Sequence, residues 1–124
     1  IMNKVLICDD EEGIREYLKE LIEEEFAVTF IDCKNGDEAI RAIKNENSID
    51  LIICDLQMPG LGGEDVFKYN IEHDRYPFFL LSGHDLSFDG SIPEFNKEND
   101  CVIITKPWDD DHLIKECEIY LTKN

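Results

Sequence analysis

Asp9, Asp10 and Asp55 are the side chains whose placement points most directly to chemistry. Asp9 and Asp10 close the apolar run Val5-Leu6-Ile7-Cys8, and Asp55 closes Leu51-Ile52-Ile53-Cys54. Short apolar runs set between helical patterns read as buried parallel strands. Such strands deliver their last residues to the carboxyl edge of the sheet, where open α/β folds bind ligands. Carboxylates gathered there repel one another unless a hard cation joins them. Oxygen-only ligation by one or two carboxylates, waters and a phosphate suits Mg²⁺. Two further runs bring other groups to the same edge. Phe78-Phe79-Leu80-Leu81 ends in Ser82-Gly83, and Val102-Ile103-Ile104-Thr105 ends in Lys106-Pro107. A carboxylate nucleophile, a metal, a hydroxyl and a lysine together make a site for receiving a phosphoryl group.

The elements that must hold these groups alternate strand and helix. Ile14, Leu18, Leu21 and Ile22 make one apolar helical stripe after the first strand. Residues 27–33 read as the second strand, Asn35-Gly36 as a turn, and Ala39, Ile40 and Ile43 as the core face of the second helix. The stretch Gln57-Met58-Pro59-Gly60-Leu61-Gly62-Gly63 is rich in turn formers, and Val66, Phe67 and Ile71 mark the third helix. Pro77 opens the fourth strand, where its missing N–H is harmless. Residues 85–99 are the irregular part, because Gly90 and Pro93 interrupt a sparse apolar pattern of Leu86, Phe88, Ile92 and Phe95. Proline inside a helix costs about 3 kcal/mol, so the fourth helix is expected to be short, over about 92–97, with Pro93 in its first turn. In the last helix Asp109 is the expected N-cap, Asp110 and Asp111 suit the positive helix end, and Leu113, Ile114, Cys117 and Leu121 form the stripe. Strict alternation with short loops requires right-handed crossovers and a parallel sheet covered on both faces.

With 124 residues the chain is expected to be one domain with a real core. Ile1 precedes Met2-Asn3-Lys4, which reads as a natural start, so Ile1 is taken as a cloning remnant and the domain as standing first in its natural protein. No apolar stretch approaches membrane-spanning length and no signal-peptide pattern occurs. The five cysteines are odd in number, contain no CxxC pair, and fall mostly in strands, where cysteine acts as a small hydrophobe. A reducing cytoplasm is expected. The net charge of −17 argues against direct binding to nucleic acid or an anionic membrane, and favours protein partners with basic patches. His73, His84 and His112 read as surface histidines, and Trp108 as a packing anchor.

Over its whole length the chain resembles the receiver domains of bacterial two-component response regulators. The resemblance rests on Asp9-Asp10, Asp55 followed by Met58-Pro59-Gly60 and Gly63, Ser82-Gly83, and Lys106-Pro107, in the family's order and spacing. It implies one receiver domain over residues 1–124, with a flavodoxin-like, doubly wound (βα)5 three-layer sandwich of strand order 2-1-3-4-5. It makes Asp55 the phosphoacceptor, and gives Mg²⁺ to Asp9, Asp10, Asp55 and the backbone carbonyl of Gln57. Ser82 would hydrogen-bond the phosphoryl group, Lys106 would pair with it, and Lys106-Pro107 would be a cis peptide. The implied partners are a sensor histidine kinase or phosphotransfer protein and an output domain or downstream target, with homodimerisation through the last helices left open. Such a domain catalyses only its own phosphorylation and dephosphorylation.

Three departures accompany the resemblance. The position three residues before Lys106, often an aromatic switch, is Ile103; Asn99 stands where glycine is common; and the fourth helix is irregular. These suggest that the signal passes through residues 85–99 by order and disorder. Separately, Gln57 and His84 stand two residues beyond Asp55 and Ser82, where they would flank the path of a hydrolytic water and are expected to set the phosphate lifetime. One alternative is a phosphorylation-independent interaction module. Another is a Mg²⁺-dependent aspartyl phosphatase; haloacid-dehalogenase-like enzymes carry a second Asp two residues after the nucleophile, and here that residue is Gln57.

Overall fold

The computed structural model describes residues 2–83 and 101–123. The expected short fourth helix, His84 and Asn99 lie outside them. Within the described residues the strands are β1 (Asn3–Cys8), β2 (Val28–Cys33), β3 (Leu51–Asp55), β4 (Phe78–Ser82) and β5 (Cys101–Thr105). The helices are α1 (Glu12–Glu23), α2 (Gly36–Asn45), α3 (Gly63–Glu72) and α4 (Asp110–Tyr120). The strands form a parallel sheet in the order β2-β1-β3-β4-β5, as expected.

The two-residue period of a strand divides the core into two layers. Leu6, Cys8, Ile52, Cys54, Phe78 and Leu80 face one side and pack with Ala39 and Ile43 of α2 and Val66 and Phe67 of α3. Val5, Ile7, Ile53, Phe79, Leu81 and Ile104 face the other and pack with Leu18 and Ile22 of α1 and Leu113 and Cys117 of α4. All residues of β3 and β4 are buried, which is why these central strands read as unbroken apolar runs.

Two local expectations change. The second strand begins at Val28, not at residue 27. Asn35-Gly36 is a helix start and not a free turn: Asn35 caps α2, its Oδ1 accepting the Glu38 N–H at 2.8 Å, while Glu38 Oε1 accepts the Lys34 N–H at 2.9 Å. Asp109 caps α4 as expected, accepting the Asp111 N–H at 2.9 Å. Buried Asn3 fastens the chain ends: its Nδ2 donates to the Ala27 and Thr122 carbonyls, each at 2.8 Å, and its Oδ1 accepts the Thr122 N–H at 2.9 Å.

Candidate functional site: an acidic pocket at the carboxyl edge

In the parallel register Cys8 lies opposite Cys54, so the residues that follow, Asp9 and Asp55, leave neighbouring strands side by side. One carboxylate oxygen from each of Asp9, Asp10 and Asp55 lies within 4.8 Å of the others. Asp9 is fully buried, Asp55 is 7% exposed, and Asp10 faces solvent. Asp9 Oδ1 accepts the Glu11 N–H at 2.9 Å. Asp9 Oδ2 is buried without a hydrogen-bond partner, with Lys106 Nζ 3.8 Å away. Lys106 Nζ lies closer to Asp55, 3.0 Å from Oδ1.

Lys106 reaches this position because β5 ends at Thr105 and the ladder continues, the Lys106 N–H donating to the Ser82 carbonyl at 2.7 Å. The Lys106-Pro107 peptide is cis, as expected. Ser82 ends β4, buried, one residue beyond the Asp55–Leu81 pair. Gln57 is exposed in the loop after β3. That loop folds back tightly: the Gly63 N–H donates to the Leu56 carbonyl at 2.9 Å, and a Cβ at Gly63 would lie 2.4 Å from the Asp55 carbonyl oxygen. Gly60 has φ +77°, the left-handed region that favours glycine.

Burial pushes the Asp9 carboxyl up to about 6; the Glu11 N–H works against this, as does Lys106, while the negative charges of Asp55 and Asp10 add to it. A carboxylate oxygen that is buried, accepts no hydrogen bond and lies close to two other carboxylates fits a small hard cation. The donor set is all oxygen, as Mg²⁺ requires. The acidic cluster Asp9, Asp10 and Asp55 could therefore hold such an ion.

One residue of the site escaped the sequence pattern. Arg15 Nη1 donates to the Asp9 carbonyl at 2.7 Å, and its Nε pairs with Asp32 at 2.7 Å. Asp32 also pairs with Lys19 at 2.8 Å, so the backbone of Asp9 is held by an α1–β2 charge network. The only sequence signal was a basic residue off the apolar stripe of α1. Trp108 does pack, half-buried, against Tyr17 with ring centroids 6.3 Å apart, and its Nε1 donates to Asp110 at 3.1 Å. With Ile14, Tyr17, Pro107 and Asp110, it and Lys106 line an open groove of about 460 Å³.

This fold and pocket define a class of signalling protein. Residues 5–118 match the response regulator receiver domain family, and the chain belongs to that family. It is 35% identical over 113 residues to the hydrogenase transcriptional regulatory protein HoxA of Cupriavidus necator, covering 89% of this chain and 22% of that protein. It is 28% identical over 123 residues to the transcriptional regulatory protein CpxR of Escherichia coli, covering 99% of this chain and 51% of that one. Among solved structures it superposes on the Francisella response regulator 1452 receiver domain with a TM-score of 0.79 and 29% identity, covering 95% of this chain and 96% of that one. A Vibrio cholerae chemotaxis protein matches in fold, with a TM-score of 0.79 and 22% identity over 98% of this chain and 100% of that one. The chain spans only 22% to 51% of the length of these two curated relatives. No helix of the described residues is long and apolar enough to cross a membrane.

Proposed function

We propose that residues 1–124 form one receiver domain that accepts a phosphoryl group on Asp55 and thereby switches an output. The observation that carries this is the meeting of Asp9, Asp10 and Asp55 within 4.8 Å, with Lys106 Nζ 3.0 Å from the Asp55 carboxylate. A carboxylate oxygen of Asp55 attacks the phosphorus of a phosphohistidine. The P–O bond forms as the P–N bond breaks, and the departing imidazole takes up a proton. Phosphoryl transfer asks chiefly for positioning and charge neutralisation. Asp9, Asp10, Asp55 and the Gln57 carbonyl would hold Mg²⁺, which supplies charge neutralisation at the phosphoryl oxygens. Lys106 adds a point charge on the Asp55 side, and Ser82 a hydroxyl donor from the adjacent strand. Arg15 fixes the Asp9 backbone from outside the pocket.

The domain turns over no separate metabolite. Its partners are a histidine kinase or phosphotransfer protein and an output domain or target, in a cytoplasmic setting. Its own net charge of −17 leaves any nucleic-acid contact to another domain. The test is intact mass after incubation with a small acyl or amide phosphodonor, with and without Mg²⁺. A single phosphoryl adduct that disappears without Mg²⁺ and in Asp55→Ala is the expected result. No adduct, together with no Mg²⁺-dependent beryllofluoride binding, would replace this reading with a phosphorylation-independent interaction module.

A further inference from the structure

The acidic pocket stands on a layer of sulfur. The last core residues before the carboxyl edge on β2, β1 and β3 are Cys33, Cys8 and Cys54, paired in register across the sheet and facing the same side. Neighbouring strands lie about 4.8 Å apart, so Cys33 and Cys54, two strands apart, are too distant to share an ion directly. A different residue closes the set. Met58, from the loop after β3, brings its Sδ to 3.7 Å from Cys8 Sγ. Cys54 lies opposite Cys8 in register on the same sheet face, its thiol donating to the Asp55 carbonyl at 3.4 Å while the Cys8 thiol donates to the Asn35 carbonyl at 3.2 Å.

We propose that Cys8, Cys54 and Met58 form a soft-metal site that takes one Cu(I) ion beneath the acidic pocket. Thiolate and thioether sulfurs select Cu(I) over hard cations. At metal–sulfur bonds of about 2.3 Å, three sulfurs around one ion stand roughly 4 Å apart, close to the spacing already present between Cys8 and Met58. Cys8 and Cys54 are fully buried, while Met58 is half-buried in a loop whose Gln57, Pro59 and Gly60 are exposed. The thioether is thus on the solvent side of the set and is the first sulfur an incoming ion meets. On binding, the Cys8 and Cys54 thiols each release a proton to water, and Cu(I) keeps its oxidation state. Cysteine as a small hydrophobe accounts for each thiol singly. Met58, which packs against the same core layer, adds a thioether sulfur in direct contact with one of them.

The site is independent of phosphorylation, so its test is too. The full chain, reduced and kept anaerobic, is titrated with Cu(I) against a chromophoric Cu(I) chelator. One Cu(I) per chain withheld from the chelator is expected, with only sulfur in its first coordination sphere by X-ray absorption. Met58→Leu conserves volume at a half-exposed position and retains the fold; it should weaken binding about tenfold or more, in line with losses seen when a metal's supporting groups are removed. Cys8→Ala should do the same, and Cys117→Ala, on the opposite sheet face, should change nothing. No retained copper, oxygen or nitrogen donors around it, equal binding by Met58→Leu, or equal loss with Cys117→Ala would each overturn the site.

Discussion

At the scale of single residues, the decisive contrast lies between two adjacent aspartates. Asp10 is exposed, whereas Asp9 is wholly buried with one oxygen that accepts no hydrogen bond. Its carboxyl, pushed from 3.8 to about 6, holds its proton more tightly in the folded than in the unfolded chain. Its contribution to stability is therefore fully present below about pH 4 and lost as pH rises through about 6. A shift of that size corresponds to about 3 kcal/mol in the metal-free protein. Asp9→Asn keeps an oxygen for the Glu11 N–H and removes the charge. It should raise metal-free stability at pH 7 by about 1–3 kcal/mol. The gain should shrink toward zero near pH 4. Urea unfolding at both pH values checks this, and equal stability of the two proteins at pH 7 would count against a buried, destabilising carboxylate. The same substitution should weaken Mg²⁺ binding.

At the scale of elements, the approach of α3 to the end of β3 sets where Asp55 stands. A Cβ at Gly63 would meet the Asp55 carbonyl oxygen at 2.4 Å, Leu80 Cδ1 at 2.8 Å and Leu56 Cα at 2.9 Å. Two of these are backbone atoms, so relief requires the helix to back away. Gly63→Ala should cost about 1–3 kcal/mol, as overpacking does, and lower Mg²⁺ affinity with it. Gly13→Ala is the contrast. A Cβ there meets nothing within 4 Å in the first turn of α1, so the change should stabilise by about 0.4–1 kcal/mol, chiefly by restricting the unfolded chain, and leave Mg²⁺ binding alone. Thermal unfolding and Mg²⁺ titration of the two variants distinguish a helix-propensity effect from displacement of the site.

At the scale of the whole molecule, a net charge of −17 on 124 residues opposes the compact state by self-repulsion. Added NaCl should therefore raise Tm by screening. Mg²⁺ at matched ionic strength should raise it further, because an ion bound only by the folded state stabilises by about 2.7 kcal/mol at a hundred times its Kd. Asp9→Asn should keep the NaCl response and lose most of the extra Mg²⁺ response. Identical NaCl and Mg²⁺ curves for the unaltered protein would mean that the cluster binds no specific cation. The same molecule buries all five cysteines, and burial pushes Cys33, Cys101 and Cys117 up to about 12. Alkylation of these three at pH 8 should accordingly be slow in the native state and accelerate with global unfolding.

The strands were legible because burial on both sheet faces leaves unbroken apolar runs, whereas their order was implied only by the resemblance to receiver domains that Asp9-Asp10, Asp55, Ser82 and Lys106 carry. The stripes of α1 and α4 and the Asp109 cap were legible for the same reason: each is a regularity of neighbours along the chain. Asn35 was misjudged because a turn and a helix cap use the same residue, and only the following backbone tells them apart. The depth of Asp9 beside exposed Asp10, the grip of Arg15 on the Asp9 carbonyl, and the meeting of Met58 with Cys8 were decided by tertiary structure alone. Each depends on which strands lie side by side and how far a loop folds back. Those are distances between residues 6 to 50 positions apart, to which local periodicity is blind.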